Sequence, residues 1–405
     1  MVALSLPGQK LARTASLPAA YFGFYLPAGV LLAYLPQFFA AKGMSAAQVG
    51  WLLAGLFGVK VVAGPVVALL GDASGRQRLM LLVAVSACIA AAPVLLASQD
   101  FFILMAAVVV MSCCRNYVQA VIEAAGTAAR DQAGNRCYGR MRAWGSTGVC
   151  AGVLLSGVLP QLHPAYQTVA VPWLVMASAA MVGAAVACGF DAHAAPPPPA
   201  AIVPAPSTHA NREPAPCVAL LLTGAALLIG ANGVLYGGAT MLLKLQGISD
   251  AAVALLWLFA FAVEAVGFRW FDRVRARCGD TALFSMLAAA SLCRWGLFMA
   301  ESHPAFIVLA FGLHVASFSW MHALVASLVR AAWPDPYAAT GQAMYTACAQ
   351  GIGMAAMSGA ASAFLPQWGA GIYAIAAAAT AAGALVMAAR WRCLRYAGRF
   401  SWRKS

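Results

Sequence analysis

The sequence predicts an all-α membrane protein with 12 transmembrane helices, arranged as two pseudo-symmetric six-helix bundles. Two observations predict this fold class. The 405-residue chain is 63% hydrophobic and only 9% charged, and a water-soluble domain of that length would need far more charges on its surface. Its apolar residues also fall into long runs, and about 20 consecutive apolar residues form a helix that spans the roughly 30 Å of bilayer hydrocarbon.

Twelve apolar runs are long enough to be transmembrane helices. Backbone amides inside a bilayer find no water, so a spanning run must form its hydrogen bonds within itself and is expected to be helical. The runs lie at residues 17–39, 48–70, 78–98, 101–126, 141–160, 168–190, 217–241, 251–270, 281–300, 304–330, 338–364 and 367–390. Aromatic residues near their ends, including Tyr21, Tyr25 and Trp173, fit the aromatic belt of a membrane interface.

A proline-rich segment divides the runs into two groups of six. Residues 191–216 contain four consecutive prolines at 196–199 and further prolines after them. Such a composition forms neither a helix nor a buried core, so we expect a flexible linker with partly polyproline-II character. The predicted domains are an N-terminal bundle over residues 1–190, a cytoplasmic linker over 191–216, and a C-terminal bundle with a basic tail over 217–405.

Lysine and arginine residues are unevenly distributed between the two sets of loops. With the N-terminus inside, most of them lie in cytoplasmic loops and the C-terminal tail, whereas the opposite loops carry only Lys42 and Lys244. This bias predicts cytoplasmic N- and C-termini, and we expect the protein in the bacterial inner membrane. The net charge of +13 does not indicate nucleic acid as a partner, because the basic residues form no continuous face.

Charged residues interrupt several of the predicted spans. Lys60 lies near the centre of the second span, and Arg115, Glu123, Glu264 and Arg294 lie within later ones. An ion at this depth costs roughly 2.5–3.5 kcal/mol even on lenient insertion scales, so it must face a partner or water. Charges spread over several spans therefore predict a shared polar cavity, which is typical of a channel or a carrier.

The fourth and fifth spans carry a dense group of polar residues. Arg115, Gln119 and Glu123 follow one another at intervals of four, so they share one helical face, with Asn116 beside it. Arg142 lies at the start of the fifth span, across a cytoplasmic loop. An antiparallel pair of helices can therefore bring Glu123 and Arg142 together.

Two loops at equivalent places in the two halves have related sequences. GDASGRQR at residues 71–78 follows the second span, and FDRVRAR at 271–277 follows the eighth, which indicates parallel repeats. Because Asp72, Gly75 and Arg76 match most of the pattern G-x-x-x-D-[RK]-x-G-R-[RK], the chain resembles the major facilitator superfamily. The resemblance implies transport by alternating access, with this loop as a conformational latch of the outward-open state.

Further motifs narrow the resemblance. Tyr138–Ser146 (YGRMRAWGS), Glu264, the Arg-Trp-Gly sequence at 294–296 and the Leu-His sequence at 313–314 are similar to the 3-phenylpropionate permease group, which is close to the lactose permease branch. The similarity runs through most of the chain and is weakest in the first two spans and the last. It implies substrate uptake coupled to protons.

The same resemblance implies roles for individual residues. Glu123 and Arg142 match the acid and the arginine that bind substrate in the lactose branch. Glu264, Arg294 and His314 match positions used there in proton coupling and substrate binding, and we expect Glu264 to pair with Arg294.

Two positions differ from the lactose branch. Ser317 stands where that branch has a glutamate one turn after its histidine, and Val149 stands where it has a sugar-stacking tryptophan. These differences argue against a galactoside substrate. The phenylpropionate group shows a similar absence of the glutamate, which favours that assignment.

We therefore predict proton-coupled uptake of a small aromatic carboxylate. The predicted spans contain four candidate cavity cations against two carboxylates, and such an excess attracts anions. The candidate substrate-binding residues are Lys60, Arg115, Asn116, Gln119, Glu123, Arg142, Trp144, Asn232, Tyr236 and Tyr345. The candidate proton-coupling residues are Glu123, Glu264, Arg294 and His314.

Other functions stay open on the sequence. Within transport these are an exporter or a carrier of siderophores or drugs, and outside transport a membrane sensor on the same fold. An enzyme is disfavoured, because the chain has no HExxH, no GxxxxGK[ST] and no GxSxG motif. We expect no cofactor, no metal site, a functional monomer, and as partners a small-molecule substrate, protons and the lipid bilayer.

Overall fold

The computed structural model describes residues 7–129, 136–162, 166–187, 213–300 and 303–396. Every regular element among these residues is a helix, which confirms the all-α fold class. The chain packs as two compact units, Met1–Pro197 and Pro198–Ser405, and each is described by itself. Most of the predicted linker, residues 191–212, and the end of the predicted basic tail, residues 397–405, lie outside the described residues.

The first unit contains six helices among its described residues. They are α1 (Pro7–Ala41), α2 (Ala46–Ser74), α3 (Gln77–Ala97), α4 (Phe101–Ala128), α5 (Tyr138–Leu162) and α6 (Tyr166–Ala187). Side chains cap two of them: Ser45 accepts from a backbone amide in the first turn of α2, and Asp100 accepts from two in α4. These caps satisfy amides that have no partner within the helix, and they define where each helix begins.

Close packing of α1 against α5 brings the site residues of the first unit together. Helix α1 packs on α5 and α6, and α4 packs on α2 and α3. At Gly148 of α5, a Cβ atom would collide with the carbonyl oxygen of Phe22 in α1. Glycine at this position permits the close approach of the two backbones, and the side chains of α1 therefore reach the first turns of α5.

The second unit contains eight α-helices among its described residues. They are α7 (Ala215–Gly230), α8 (Thr240–Leu245), α9 (Asp250–Met299), α10 (Pro304–Gly312), α11 (Met321–Ala332), α12 (Ala338–Thr346), α13 (Met354–Trp368) and α14 (Tyr373–Tyr396). Helix α7 begins two residues before the predicted start of the second bundle at 217. The reason is that Pro216 falls in the first turn of a helix, where a proline needs no amide partner.

Three of the predicted spans in the second unit are not regular α-helices. The seventh, tenth and eleventh spans contain π-helical segments at Leu235–Ala239, Val315–Trp320 and Ala347–Gly353. A π-segment widens the helix and changes which side chains share a face, and such segments occur frequently at functional sites. A period of 3.6 residues cannot be extrapolated through them.

The predicted eighth and ninth spans form one element, α9, whose direction changes at Gly279. This residue has φ 76° and ψ 164°, a backbone conformation that favours glycine. Next to it, Arg275 donates two hydrogen bonds to Asp280, at 2.7 and 3.0 Å. The connection is shorter than the sequence suggests, because the basic segment at 271–277 is itself helical.

Five helical stretches among the described residues are long and apolar enough to cross a membrane. They are Gln77–Ala97, Phe101–Ala128, Ala251–Met299, Pro304–Ala332 and Ala338–Tyr396. Helices also cover most of the other predicted runs. The count of twelve crossings, the two six-helix bundles, the domain boundaries and the cytoplasmic termini stay predictions.

Candidate functional site

Glu123 of α4 lies at the centre of a buried polar cluster in the first unit. It is 2% exposed and accepts hydrogen bonds from three tyrosine hydroxyls: Tyr21 at 3.1 Å, Tyr25 at 2.8 Å and Tyr138 at 2.7 Å. Hydrogen bonds to an ionised acceptor are roughly twice as strong as neutral ones. The three hydroxyls thus provide the polar surroundings that a buried carboxylate requires.

Arg142 of α5 completes this cluster and pairs with Glu123, as the sequence suggested. Its Nε lies 3.6 Å from Glu123 Oε1, and its guanidinium carbon lies 4.2 Å from the centroid of the Tyr25 ring. A Cβ atom at Gly145 would come within 2.6 Å of Arg142 Nη1 and 2.8 Å of a Tyr25 ring carbon. Glycine at 145 therefore leaves the space in which the arginine and the tyrosine stack.

Sequence reasoning missed the two tyrosines of α1 as site residues. Tyr21 and Tyr25 were interpreted as part of an aromatic belt, yet Tyr21 is fully buried and both donate to Glu123. Their spacing of four residues, which places them on one face of α1, was the available signal. A hundred residues separate them from the glutamate, so no local pattern links them to it.

The other predicted polar residues of α4 do not gather around Glu123 as one group. Gln119 is connected to it through Tyr25, whose hydroxyl accepts from Gln119 Nε2 at 3.5 Å. Arg115 instead donates to the carbonyl oxygen of Phe24 at 3.0 Å. Asn116 bonds within its own helix, from Nδ2 to Ser112 Oγ at 3.5 Å.

Trp144 lies away from the cluster. It is 48% exposed and shares an exposed stripe of α5 with Arg140 and Thr147, whereas Arg142 lies on the buried side. The structure therefore does not bring Trp144 to the residues that surround Glu123.

Arg294 of α9 is held by neutral oxygen atoms in the second unit. It is fully buried and donates to the carbonyl oxygen of Ala310 at 2.8 Å, to Asn232 Oδ1 at 2.9 Å and to Ser317 Oγ at 2.6 Å. Ser317 is the residue that replaces the glutamate of the lactose branch, and here it binds the arginine directly. Asn232, a predicted site residue, is thereby placed in this network.

Glu264 of α9 contacts His314, where the sequence had suggested Arg294 as its partner. Glu264 is 2% exposed, accepts a short hydrogen bond from Ser319, and has its Oε2 3.4 Å from His314 Nε2. The imidazole ring also stacks on Phe318, with centroids 5.2 Å apart. Ser319 and Phe318 belong to the π-segment at Val315–Trp320, so this irregular turn supplies the surroundings of the carboxylate.

Two predicted tyrosines of the second unit have other partners. Tyr236 is 39% exposed and stacks on Trp257, with ring centroids 5.6 Å apart. Tyr345 is buried, and its hydroxyl lies 2.5 Å from His322 Nδ1. Trp257 is an aromatic surface that sequence reasoning did not single out.

The predicted conformational loop forms a capped helix end. Asp72 is buried and accepts from Gln77 Nε2 at 2.5 Å. Gly75 ends α2 in the left-handed conformation, with φ 63°, which glycine adopts without strain. Arg76 is exposed. The loop geometry is thus defined, and its role as a latch stays a prediction.

Comparison with known proteins shows what this chain is similar to. The family model described as "MFS_1 like family" matches residues 14–369. The chain is 28% identical over 132 residues to the probable 3-phenylpropionic acid transporter of Escherichia coli (strain K12), a match that covers 33% of this chain and only 35% of that protein. It is 25% identical over 390 residues to maltose permease of Geobacillus stearothermophilus, which covers 93% of this chain and 94% of that protein.

A solved structure supports the fold. The crystal structure of the human organic anion transporter MFSD10 (TETRAN) matches with a TM-score of 0.68 and covers 94% of this chain and 100% of that chain. The two sequences are 14% identical, so this likeness concerns the fold alone.

Proposed function

Because this chain belongs to the MFS_1 like family and is a multi-pass membrane transporter of the major facilitator superfamily, we propose that it takes up a small organic carboxylate together with protons. The observation that carries the proposal is a pair of buried carboxylates that each contact a basic side chain, one in each unit. Glu123 faces Arg142 and Glu264 faces His314, each inside an apolar helical unit. Transport proceeds by alternating access, with an aromatic acid as the preferred substrate.

Proton coupling is assigned to Glu264 and His314. A carboxylate and an imidazole are both able to gain or lose a proton. Ionisable residues within transmembrane segments are typical of proton relays. Because His314 Nε2 and Glu264 Oε2 are 3.4 Å apart, the protonation state of one group influences that of the other.

An anionic substrate is supported by the charge balance of the first unit. Lys60, Arg115 and Arg142 stand against Glu123 as its candidate site charges, which leaves two positive charges in excess. Such an excess attracts anions. The relative in Escherichia coli, named as a probable 3-phenylpropionic acid transporter, points to the same class of substrate.

A neutral sugar is the second candidate, because the relative with the longer match is named a maltose permease. A sugar accepts hydrogen bonds from cations but carries no charge to compensate them, so two excess cations favour a carboxylate over a sugar. Val149 in place of the sugar-stacking tryptophan also argues for the carboxylate.

The experiment is uptake of radiolabelled 3-phenylpropionate into proteoliposomes, with and without an inward proton gradient. We expect accumulation that depends on the gradient and that excess unlabelled 3-phenylpropionate suppresses but excess maltose does not. Suppression by maltose would favour the sugar. Liposomes that carry the Asp280→Asn variant are a matched control, since Asp280 pairs with Arg275 at the kink of α9 and belongs to neither cluster.

Absence of uptake for 3-phenylpropionate and for a panel of small aromatic and aliphatic acids would overturn the proposed substrate class. Equal accumulation with and without the gradient would overturn proton coupling while leaving the substrate class in place.

A further inference from the structure

The interior cations of the first unit are not equally paired. Arg142 lies 3.6 Å from Glu123, and that glutamate also accepts from three tyrosines. Lys60 and Arg115, in contrast, form no ion pair with any residue that the structure describes. Arg142 is 5% exposed, whereas Lys60 and Arg115 are both partly exposed. The uncompensated and accessible positive charge of this unit therefore belongs to Lys60 and Arg115.

Two contacts between α2 and α4 define where Lys60 lies. Ser112 Oγ of α4 donates to the carbonyl oxygen of Leu56 at 2.5 Å. One turn of α2 beyond Lys60, a Cβ atom built at Gly64 would lie 3.7 Å from Asn116 Cβ. Lys60 is midway between Leu56 and Gly64, so it shares their face of α2 and lies opposite the turn of α4 that includes Arg115.

Arg115 is held in place by neutral groups, which do not compensate its charge. Its Nη2 donates to the carbonyl oxygen of Phe24 at 3.0 Å, its Nη1 donates to Ser178 Oγ at 3.3 Å, and its guanidinium carbon lies 4.7 Å from the Phe24 ring centroid. These partners are neutral. Lys60 lies opposite the same turn of α4, so two like charges repel each other in an apolar unit.

We propose that Lys60 and Arg115 bind the carboxylate of the substrate, and that Arg142 serves instead to hold Glu123. This inference rests on the proposed function and identifies its anion-binding residues. Two neighbouring cations in an apolar unit are unfavourable by themselves, and a bound carboxylate between them removes the repulsion. A cation that is already paired with a buried glutamate attracts an incoming anion much less strongly.

The test compares the affinity of purified protein for 3-phenylpropionate and for its neutral analogue 3-phenylpropanamide. The variants are Lys60→Met, which removes the charge, and Lys60→Arg, which keeps it. The matched control is Lys42→Met, because among the described residues Lys42 donates to the carbonyl oxygens of Leu96 and Ser98 at a helix connection and lies over the Phe38 ring. Isothermal titration gives the dissociation constants, and uptake into proteoliposomes is measured in parallel.

We expect Lys60→Met to weaken binding of 3-phenylpropionate by roughly tenfold or more, as for loss of a charge-assisted contact. Lys60→Arg should restore most of the affinity, Lys42→Met should leave it unchanged, and the amide should bind all four proteins equally weakly. If Lys60 had only a structural role, Lys60→Met would change the affinities for the acid and for the amide alike, and that result would overturn the inference.

The outcomes separate this inference from the proposed function. If wild-type protein accumulates 3-phenylpropionate and Lys60→Met binds it with unchanged affinity, the carboxylate site is wrong and the transport function stands. If the protein binds the acid through Lys60 but no proton gradient drives its uptake, the site stands and proton-coupled uptake is wrong. If wild-type protein binds neither 3-phenylpropionate nor benzoate, the site is overturned.

Discussion

Glu123 in the first unit and Glu264 in the second are both buried, but these two carboxylates have partners of different chemical kinds. Glu123 accepts from tyrosine hydroxyls and faces the guanidinium of Arg142. Glu264 accepts from Ser319 and faces the imidazole of His314. Tyrosine and arginine normally keep their protons at neutral pH, whereas histidine exchanges its proton there. The first carboxylate thus lies among tyrosine and arginine donors, and the second lies beside a histidine, the residue type to which we assign proton coupling.

The buried arginines of the two units, Arg142 and Arg294, also have partners of different kinds. Arg142 is in contact with the carboxylate of Glu123, whereas Arg294 donates to the neutral oxygens of Asn232, Ala310 and Ser317. The comparison teaches that one acid and one arginine in each half need not have the same task. We interpret the first pair as an anchor that holds α1, α4 and α5 together, and the second carboxylate as the proton-exchanging group.

The largest expected effect is that of Glu264→Gln on proton-driven accumulation. We expect a fall of roughly 100-fold or more, as is typical when a proton-transfer group is removed. Exchange of internal for external substrate needs no net proton movement and should continue. Both are measured in the same proteoliposomes, with Asp280→Asn as the control. Gradient-driven accumulation at the wild-type level would contradict the role of Glu264.

The next largest effect is expected on folding stability in the first unit. Arg142→Ala leaves Glu123 buried without its cation, and breaking a buried ion pair in this way typically costs about 3–5 kcal/mol. The control is Arg275→Ala, because the side chains of Arg275 and Asp280 are 12% and 34% exposed, so the loss of this less buried pair should cost less than the loss of the Arg142 pair. Thermal unfolding in detergent measures both. Similar decreases of the unfolding temperature in the two variants would contradict the interpretation of Glu123 and Arg142 as an anchor.

A smaller effect should follow from removing single hydroxyl donors. Tyr138→Phe and Tyr25→Phe each take away one hydrogen bond to Glu123 but leave two others, so each should lower the free energy of unfolding by about 1.5–3 kcal/mol. Neither should change the dependence of uptake on the proton gradient. A phenylalanine variant that stays stable but accumulates substrate without a gradient would show that the first unit, too, exchanges protons.

The smallest effect is expected for Trp144→Ala. The sequence included Trp144 among the candidate substrate-binding residues, but the structure places it on the exposed stripe of α5. A substitution on an exposed surface usually changes stability by less than about 0.5 kcal/mol, and the KM for uptake should stay within about twofold of wild type. A tenfold rise in KM would show that Trp144 belongs to the substrate-binding site.

Part of the candidate site could be predicted because it depends on short-range order. Glu123 and Arg142 lie on consecutive helices joined by a short connection, so their meeting follows from an antiparallel pair. Tyr21 and Tyr25 could not be linked to them from sequence, because only the close packing of α1 on α5 at Gly148 brings these helices together. Tertiary contacts of this kind leave no periodic signal along the chain.

The second unit was harder to predict for a different physical reason. The π-segment at Val315–Trp320 breaks the regular helical period just after His314. Ser317 is thereby positioned to bind Arg294 and Ser319 to bind Glu264, a division that a regular helix drawn through these residues would not show. The all-α class, in contrast, follows from hydrophobicity alone and needs no such detail.

The most direct test of different tasks for the two carboxylates is proton uptake on substrate binding. A pH-sensitive dye reports it when 3-phenylpropionate is added to purified protein in weakly buffered detergent. We predict that wild-type protein and the Tyr138→Phe variant take up protons on binding, and that Glu264→Gln binds the substrate without proton uptake. Proton uptake by Glu264→Gln equal to that of wild type would contradict the account.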